Sequence, residues 1–125
     1  MKISFNRIDH VQVCIPPRAE PQARDFYGRL LGLEEIEKPA ALKENGGLWY
    51  ALADVQLHIG VEPEVAPSKR HPAFEVEEAE GVRAYLEQNG VRTKDEVAVP
   101  GVVYRFSFYG PFGNRIELLE KTKDG

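Results

Sequence analysis

Residues 8–15 read Ile8-Asp9-His10-Val11-Gln12-Val13-Cys14-Ile15, and their alternation decides the first element of the fold. Val11, Val13 and Ile15 fall on one side of an extended chain, and Ile8, His10, Gln12 and Cys14 on the other. Period-two alternation with β-branched residues predicts a strand whose one face packs against apolar cover. Pro16 and Pro17 end it, since proline has no N–H to give to a ladder. Next, Ala23, Phe26, Tyr27, Leu30 and Leu31 recur at i, i+3, i+4, i+7 and i+8, the apolar stripe of an amphipathic helix. Gly32 directly after it is the stop signal. Three short strands are predicted beyond, over 33–37, 48–53 and 55–61, with Gly46-Gly47 and Ala53-Asp54 as the turns.

The same order then runs a second time. Residues 71–76 alternate as a strand, with Phe74 and Val76 on one face and His71, Ala73 and Glu75 on the other. Val82, Tyr85 and Leu86 keep helical spacing, and Asn89-Gly90 closes that helix. Strands are predicted over 91–94, 102–108 and 115–119, the last two joined by Gly110-Pro111-Phe112-Gly113-Asn114. Equivalent residues lie at nearly constant offsets: 61 positions from His10 to His71, 58 from Gly32 to Gly90, 59 from His58 to Glu117. An internal duplication of a βαβββ unit accounts for this most economically. The expected organisation is one α+β domain, with a first module over about 7–62, a linker over 63–69 and a second module over about 70–120.

Size and composition narrow the function classes. The chain has 125 residues, enough for one domain with a real core and too few for two independent ones. Its net charge is -4, and the basic residues are scattered, which argues against nucleic acid or an anionic membrane as partner. No stretch approaches the roughly 20 apolar residues of a membrane span. Residues 1–6 lack the apolar run of a signal peptide, so the expected compartment is the cytoplasm. Cys14 is the only cysteine, which excludes an internal disulfide and a thiolate zinc cluster.

The polar residues on the strands carry the chemistry. His10, His58, His71 and Glu117 each stand on a predicted strand, on the face opposite its aliphatic residues. The two helical stripes cover the aliphatic faces, which leaves a second face holding every histidine of the chain and a carboxylate. Singly, each could be a surface or hydrogen-bonded residue. Jointly, imidazole and carboxylate without thiolate suit a divalent zinc, nickel, iron, manganese or cobalt ion. Trp49, Tyr50, Tyr104 and Phe106 are candidates to line an apolar pocket beside it, or are ordinary core aromatics.

Ile8-Asp9-His10-Val11, Phe26-Tyr27 through Leu31-Gly32-Leu33, His71-Pro72-Ala73-Phe74 and Gly110-Pro111-Phe112-Gly113-Asn114-Arg115-Ile116-Glu117 resemble the vicinal-oxygen-chelate superfamily of glyoxalases, bleomycin-resistance proteins and extradiol dioxygenases. The likeness runs from about Arg7 to Glu120. Its most specific piece is the closing segment, similar to the family's D-P-x-G-x-x-x-E signature, from which Tyr109-Gly110 departs where an aspartate is usual. The resemblance implies two βαβββ modules forming a cupped mixed sheet. It also implies His10, His71 and Glu117 as metal ligands, and His58 where a fourth ligand, usually glutamate, stands. A homodimer with sites shared between chains is implied as well.

The activity so implied is chelation of a small oxygen-rich substrate by a metal acting as Lewis acid, in a glyoxalase-like lyase or isomerase or a ring-cleaving dioxygenase. Glu117 and His58 are the candidate proton-transfer groups, since an unperturbed imidazole titrates near neutrality. The alternative is a drug-binding resistance protein of the bleomycin type, without catalysis or metal. A fosfomycin transferase fits less well: there is no serine-rich potassium loop, and Phe106 stands where that group wants a hydroxyl.

Overall fold

The computed structural model describes residues 1–123 and divides the chain into two compact units, Met1–Val65 and the remainder from Ala66. Each unit is a four-stranded mixed sheet with helical cover, and the fold is α+β.

In the first unit, β1 (His10–Ile15), β2 (Glu34–Ile36), β3 (Leu48–Leu52) and β4 (Val55–Val61) lie in the order β1-β4-β3-β2. β1 runs parallel to β4, while the β3 pairs with β4 and β2 are antiparallel. Parallel neighbours need a crossover, and α1 (Glu20–Ala23), continued by a wider π-helical stretch Arg24–Leu30, supplies it. The stripe buries Ala23, Phe26, Tyr27 and Leu30, but the last turn opens to an i+5 bond, Leu31 N–H to Phe26 O at 2.9 Å. That stripe packs with Val13, Ile15, Leu48, Tyr50, Leu57 and Ile59, all buried. Burial at about 25 cal/mol per Å² of apolar surface is what holds helix to sheet. A 3₁₀ turn, Ala40–Asn45, precedes β3. Gly47 admits β3 to its place beside β4: its φ is +85°, and an added Cβ would stand 2.1 Å from the Ile59 carbonyl oxygen.

The second unit repeats this order as β5-β8-β7-β6, with β5 (Ala73–Glu75), β6 (Thr93–Asp95), β7 (Val102–Tyr109), β8 (Arg115–Lys121) and α2 (Ala79–Gln88). Phe106, Phe108, Ile116, Leu118, Ala79 and Leu86 form its core. The opening strand is shorter than the alternation predicts. It begins at Ala73, because Pro72 has no N–H to pair; its carbonyl accepts from the Glu117 N–H at 3.0 Å. β7 carries a register shift between Val102 and Tyr104. No helix among the described residues is long and apolar enough to cross a membrane.

Candidate functional site

Strand register places the first unit's polar residues in rows. His10 pairs with Gln56, Gln12 with His58, and Trp49 with His58 from the other side. All therefore share the face away from the helix. On it the rings stack: Trp49 lies 3.9 Å from His58 at an interplanar angle of 5°, and His10 lies 4.0 Å from His58 at 14°. The stack borders a cavity of about 610 Å³ that also meets Gln12, Lys38 and Leu42. Gly60 leaves room for Gln12, whose amide nitrogen would sit 2.5 Å from any added Cβ.

Hydrogen bonds fix the imidazoles. The His10 Nδ1–H donates to Asp9 Oδ2 at 2.9 Å, and this bond pulls the exposed Asp9 carboxyl below its usual range. The His58 Nε2–H donates to Gln56 Oε1 at 2.9 Å, which assigns the Nδ1 lone pair as the free one. Burial, and then the charge of His10, push the His58 pKa down, so His58 is neutral at pH 7.

The second unit presents a charged face at the corresponding positions. Ala73 and Ser107 flank Glu117 across the ladders. Glu117 is buried, and its two oxygens are held differently. Oε1 lies 3.3 Å from His71 Nε2, and Oε2 accepts from Arg105 Nη1 at 3.4 Å. His71, just ahead of β5, donates its Nδ1–H to the Lys69 carbonyl at 2.8 Å. Beside them Ser107 donates to Glu96 Oε2 at 3.1 Å, and Arg115 donates to both Ser107 and Glu96. Burial pushes the Glu96 carboxyl up, but the bonds from Arg115 and Ser107 outweigh it and hold it below the usual range.

The aromatic expectations divide by strand parity. Trp49 is on the stacked face. Tyr50, one residue on, points to the other side, where it is fully buried against Tyr27 with ring centroids 6.4 Å apart. Phe106 and Tyr104 likewise face the helix: the Arg83 guanidinium of α2 lies 5.6 Å from the Phe106 ring centre and donates to the Tyr104 hydroxyl at 3.3 Å. Tyr50 and Phe106 are thus fully buried on the helix-facing sides, and Tyr104, on the same side as Phe106, borders a second cavity.

Two pairs of donors result, His10 with His58 and His71 with Glu117. Among the described residues no group of three or more His, Cys, Asp or Glu side chains surrounds one point. As placed, His10 and His58 cannot share an ion, because imidazole lone pairs lie in the ring plane and parallel planes do not meet. The second pair fits a cation. With Nδ1–H given to Lys69, Nε2 faces a carboxylate oxygen, so the position between them takes either the Nε2 proton or, in its place, a cation. Their 3.3 Å separation matches the ligand–ligand edge of a tetrahedral ion with bonds near 2.1 Å, about 3.4 Å.

A model of the Glyoxalase/Bleomycin resistance protein/Dioxygenase superfamily matches residues 7–118. The chain belongs to this superfamily. A glyoxalase family protein from Bacillus anthracis, known as a crystal structure, is 44% identical with a TM-score of 0.89, over 98% of this chain and 100% of that one. The antibiotic binding protein TnmS3 from Streptomyces sp. CB03234 has a TM-score of 0.75 at 21% identity, over 97% of this chain and 100% of its own. The fosfomycin resistance protein FosX from Listeria monocytogenes has a TM-score of 0.76 at 18% identity, over 97% of this chain and 95% of its own. At these identities the last two show a shared fold alone. No curated protein matches the chain by sequence.

Proposed function

We propose that the protein binds a divalent metal ion through His71 and Glu117 and uses it to chelate a small oxygen-rich molecule. The observation that carries this reading is the His71 imidazole against the buried Glu117 carboxylate, with Nε2 and Oε1 3.3 Å apart. The Lys69 carbonyl orients the ring and fixes its tautomer, as partners of metal-bound imidazoles commonly do. The pair falls short of the three protein donors of a minimal catalytic site, so further donors come from outside the second unit. His10 is the donor we assign, contributed by a second copy of the chain in a homodimer. Its Nδ1–H is spent on Asp9, and its Nε2 keeps a lone pair.

A bound divalent ion would supply Lewis acidity towards a carbonyl or an oxyanion. Glu117 is the ligand whose charge Arg105 helps to hold in place. His58 is the proton acceptor rather than a ligand: it is neutral, Trp49 shields one face of its ring, and Nδ1 is free to take a proton. The chemistry so assembled is that of a glyoxalase-like lyase or isomerase, or of a ring-cleaving dioxygenase.

The second reading is a drug-binding protein, as the antibiotic binding protein TnmS3 is. The cavity of about 610 Å³ beside Trp49 favours it, since an aromatic wall suits a planar guest. Metal analysis of untagged protein, purified without chelator and then offered zinc, nickel, manganese, iron(II) and cobalt, separates the two. The metal reading expects about one ion per chain, a mass in light scattering near twice 14.1 kDa, and affinity lowered more than about 100-fold in both Glu117→Ala and His10→Ala. Full metal content in Glu117→Ala, or none in the parent protein, would leave the binding reading standing.

A further inference from the structure

The ring stack of the first unit has one open end. His58 has Trp49 on one face at 3.9 Å and His10 on the other at 4.0 Å, so both its faces are taken. Beyond Trp49 stands its β2 partner, Ile36. His10 ends the stack on the other side, on β1, an edge strand of the unit's sheet, and its side chain is 44% exposed. A further flat ring can add there at the spacing the stack already keeps, since parallel, offset rings attract and shed water from the faces they join.

Most polar groups around the adjoining cavity of about 610 Å³ are committed. Lys38 donates to the Gly46 carbonyl, Asp9 holds His10, and Gln56 holds His58. The charges of Lys38 and Asp9 cancel in sum and His58 is neutral, so the cavity calls for no charged guest. Gln12 is the exception. It lines the cavity over Gly60, and its Nε2 has only the Cys14 sulfur, a weak acceptor, at 3.9 Å. Its carboxamide therefore offers a donor and an acceptor side by side. Gln12 stands two residues along β1 from His10 on the same face, about 6.6 Å away at the rise of a strand, which a fused bicyclic ring spans. Leu42, exposed on the turn 40–45, brings an apolar side chain to the same cavity.

We propose that this cavity binds a neutral, flat heteroaromatic ring, stacked on the outer face of His10, whose edge pairs a hydrogen-bond donor and acceptor with the Gln12 carboxamide. The 6-amino and N7 edge of an adenine is of this kind, and a glutamine meets it through two bonds. The inference rests on the second reading of the function, binding in this cavity, and needs no metal. It narrows that reading from any planar guest to one chosen by its edge. Stacking accepts every flat ring, whereas a guest without the donor leaves the Gln12 oxygen facing it unpaired. The cavity is of a size for a ring that carries a substituent, with Leu42 as apolar cover. Stacking occupies a face of His10 and leaves Nε2, whose lone pair lies in the ring plane, as it was.

The test is a proton NMR titration of metal-free, full-length protein with adenosine and with 6-methylpurine riboside, in which a methyl group of nearly the same size replaces the amino group. The chain has three histidines, whose ring protons report separately. The expected result is a saturable upfield shift of the His10 ring protons, from the ring current of the stacked purine, and none at His71. Adenosine should bind about ten-fold more tightly than the methyl compound. Gln12→Met should abolish that preference and keep the upfield shift. Equal affinities in the parent protein, or an undiminished preference in Gln12→Met, overturn the proposal and leave the cavity to any flat guest. No saturable shift at His10 with either probe, or an equal shift at His71, overturns it together with the stack as a binding surface. The contrast between the probes is measured on the parent protein, so it stands even where the variant fails to fold. Since no metal is present, the metal reading keeps its own test.

Discussion

The two units offer the same backbone positions to different chemistry. Gln12 pairs with His58 in the first unit as Ala73 pairs with Glu117 in the second. Trp49 pairs with His58 as Ser107 pairs with Glu117. His10 and His71 each stand two residues before those first-strand partners, and Gln56 and Arg115 stand two before His58 and Glu117. On this common scaffold one face became a stack of rings with neutral hydrogen bonds, and the other a set of ion pairs around a buried carboxylate. Register supplies placement; the residue at each position decides whether the face is a stack of rings or a set of ion pairs.

The largest effect is expected from the same substitution at equivalent positions of the two units. Arg115→Met should destabilise the protein by about 3 kcal/mol, because it leaves the Glu96 carboxylate, only 8% exposed, without its counter-charge. Gln56→Met, which removes one neutral bond to His58, should cost about 1 kcal/mol. Urea denaturation of both variants measures the contrast, and equal losses would mean that the second face is no more electrostatic than the first.

A smaller effect is expected from Trp49→Ala. The loss should be about 1–2 kcal/mol, below the about 3–5 kcal/mol of a fully buried tryptophan, because Trp49 is half-buried. The His58 pKa should rise towards 6.5 at the same time, since water then reaches the ring. Titration of the imidazole by NMR follows it, and an unchanged midpoint would show that the stack does not shield His58.

The smallest effect is in pH. His58 has a lower pKa folded than unfolded, so between those values the unfolded chain binds more protons. The stability linked to this residue is therefore fully present above about pH 6.5 and declines as pH falls below it. His58→Gln should flatten that part of the profile between pH 5 and 7. A parent profile already flat there would remove the case for a shielded, neutral imidazole.

Much of this was legible in the sequence, for a physical reason. Side-chain direction alternates in a strand, so the facing of His10, His58 and Glu117 followed from the aliphatic residues beside them, and the near-constant offsets exposed the repeat. The same rule, pressed further, separates Trp49 from Tyr50, which as adjacent residues cannot share a face. It also places Arg105 and Ser107 with Glu117 rather than with Phe106. That signal is present in the alternation of β7, although its aromatic residues are the more conspicuous ones. Glu96 could not be found this way: it reaches Ser107 and Arg115 from a loop, and loop geometry leaves no periodic trace. The stack was equally hidden, since it depends on the rotamers of Trp49, His58 and His10. The i+5 bond ending the first helix likewise leaves the apolar stripe unchanged.

Gly47 has a consequence for anyone mapping this protein by random mutagenesis. It lies in a turn and carries no chemistry, yet any side chain there must displace the Ile59 carbonyl, the residue next to His58 on β4. A library scored on ligand handling would mark Gly47 among the most sensitive positions and tempt its readers to draw it into the pocket. Its role is closer to that of a shim, whose thickness sets the alignment of a part it never touches.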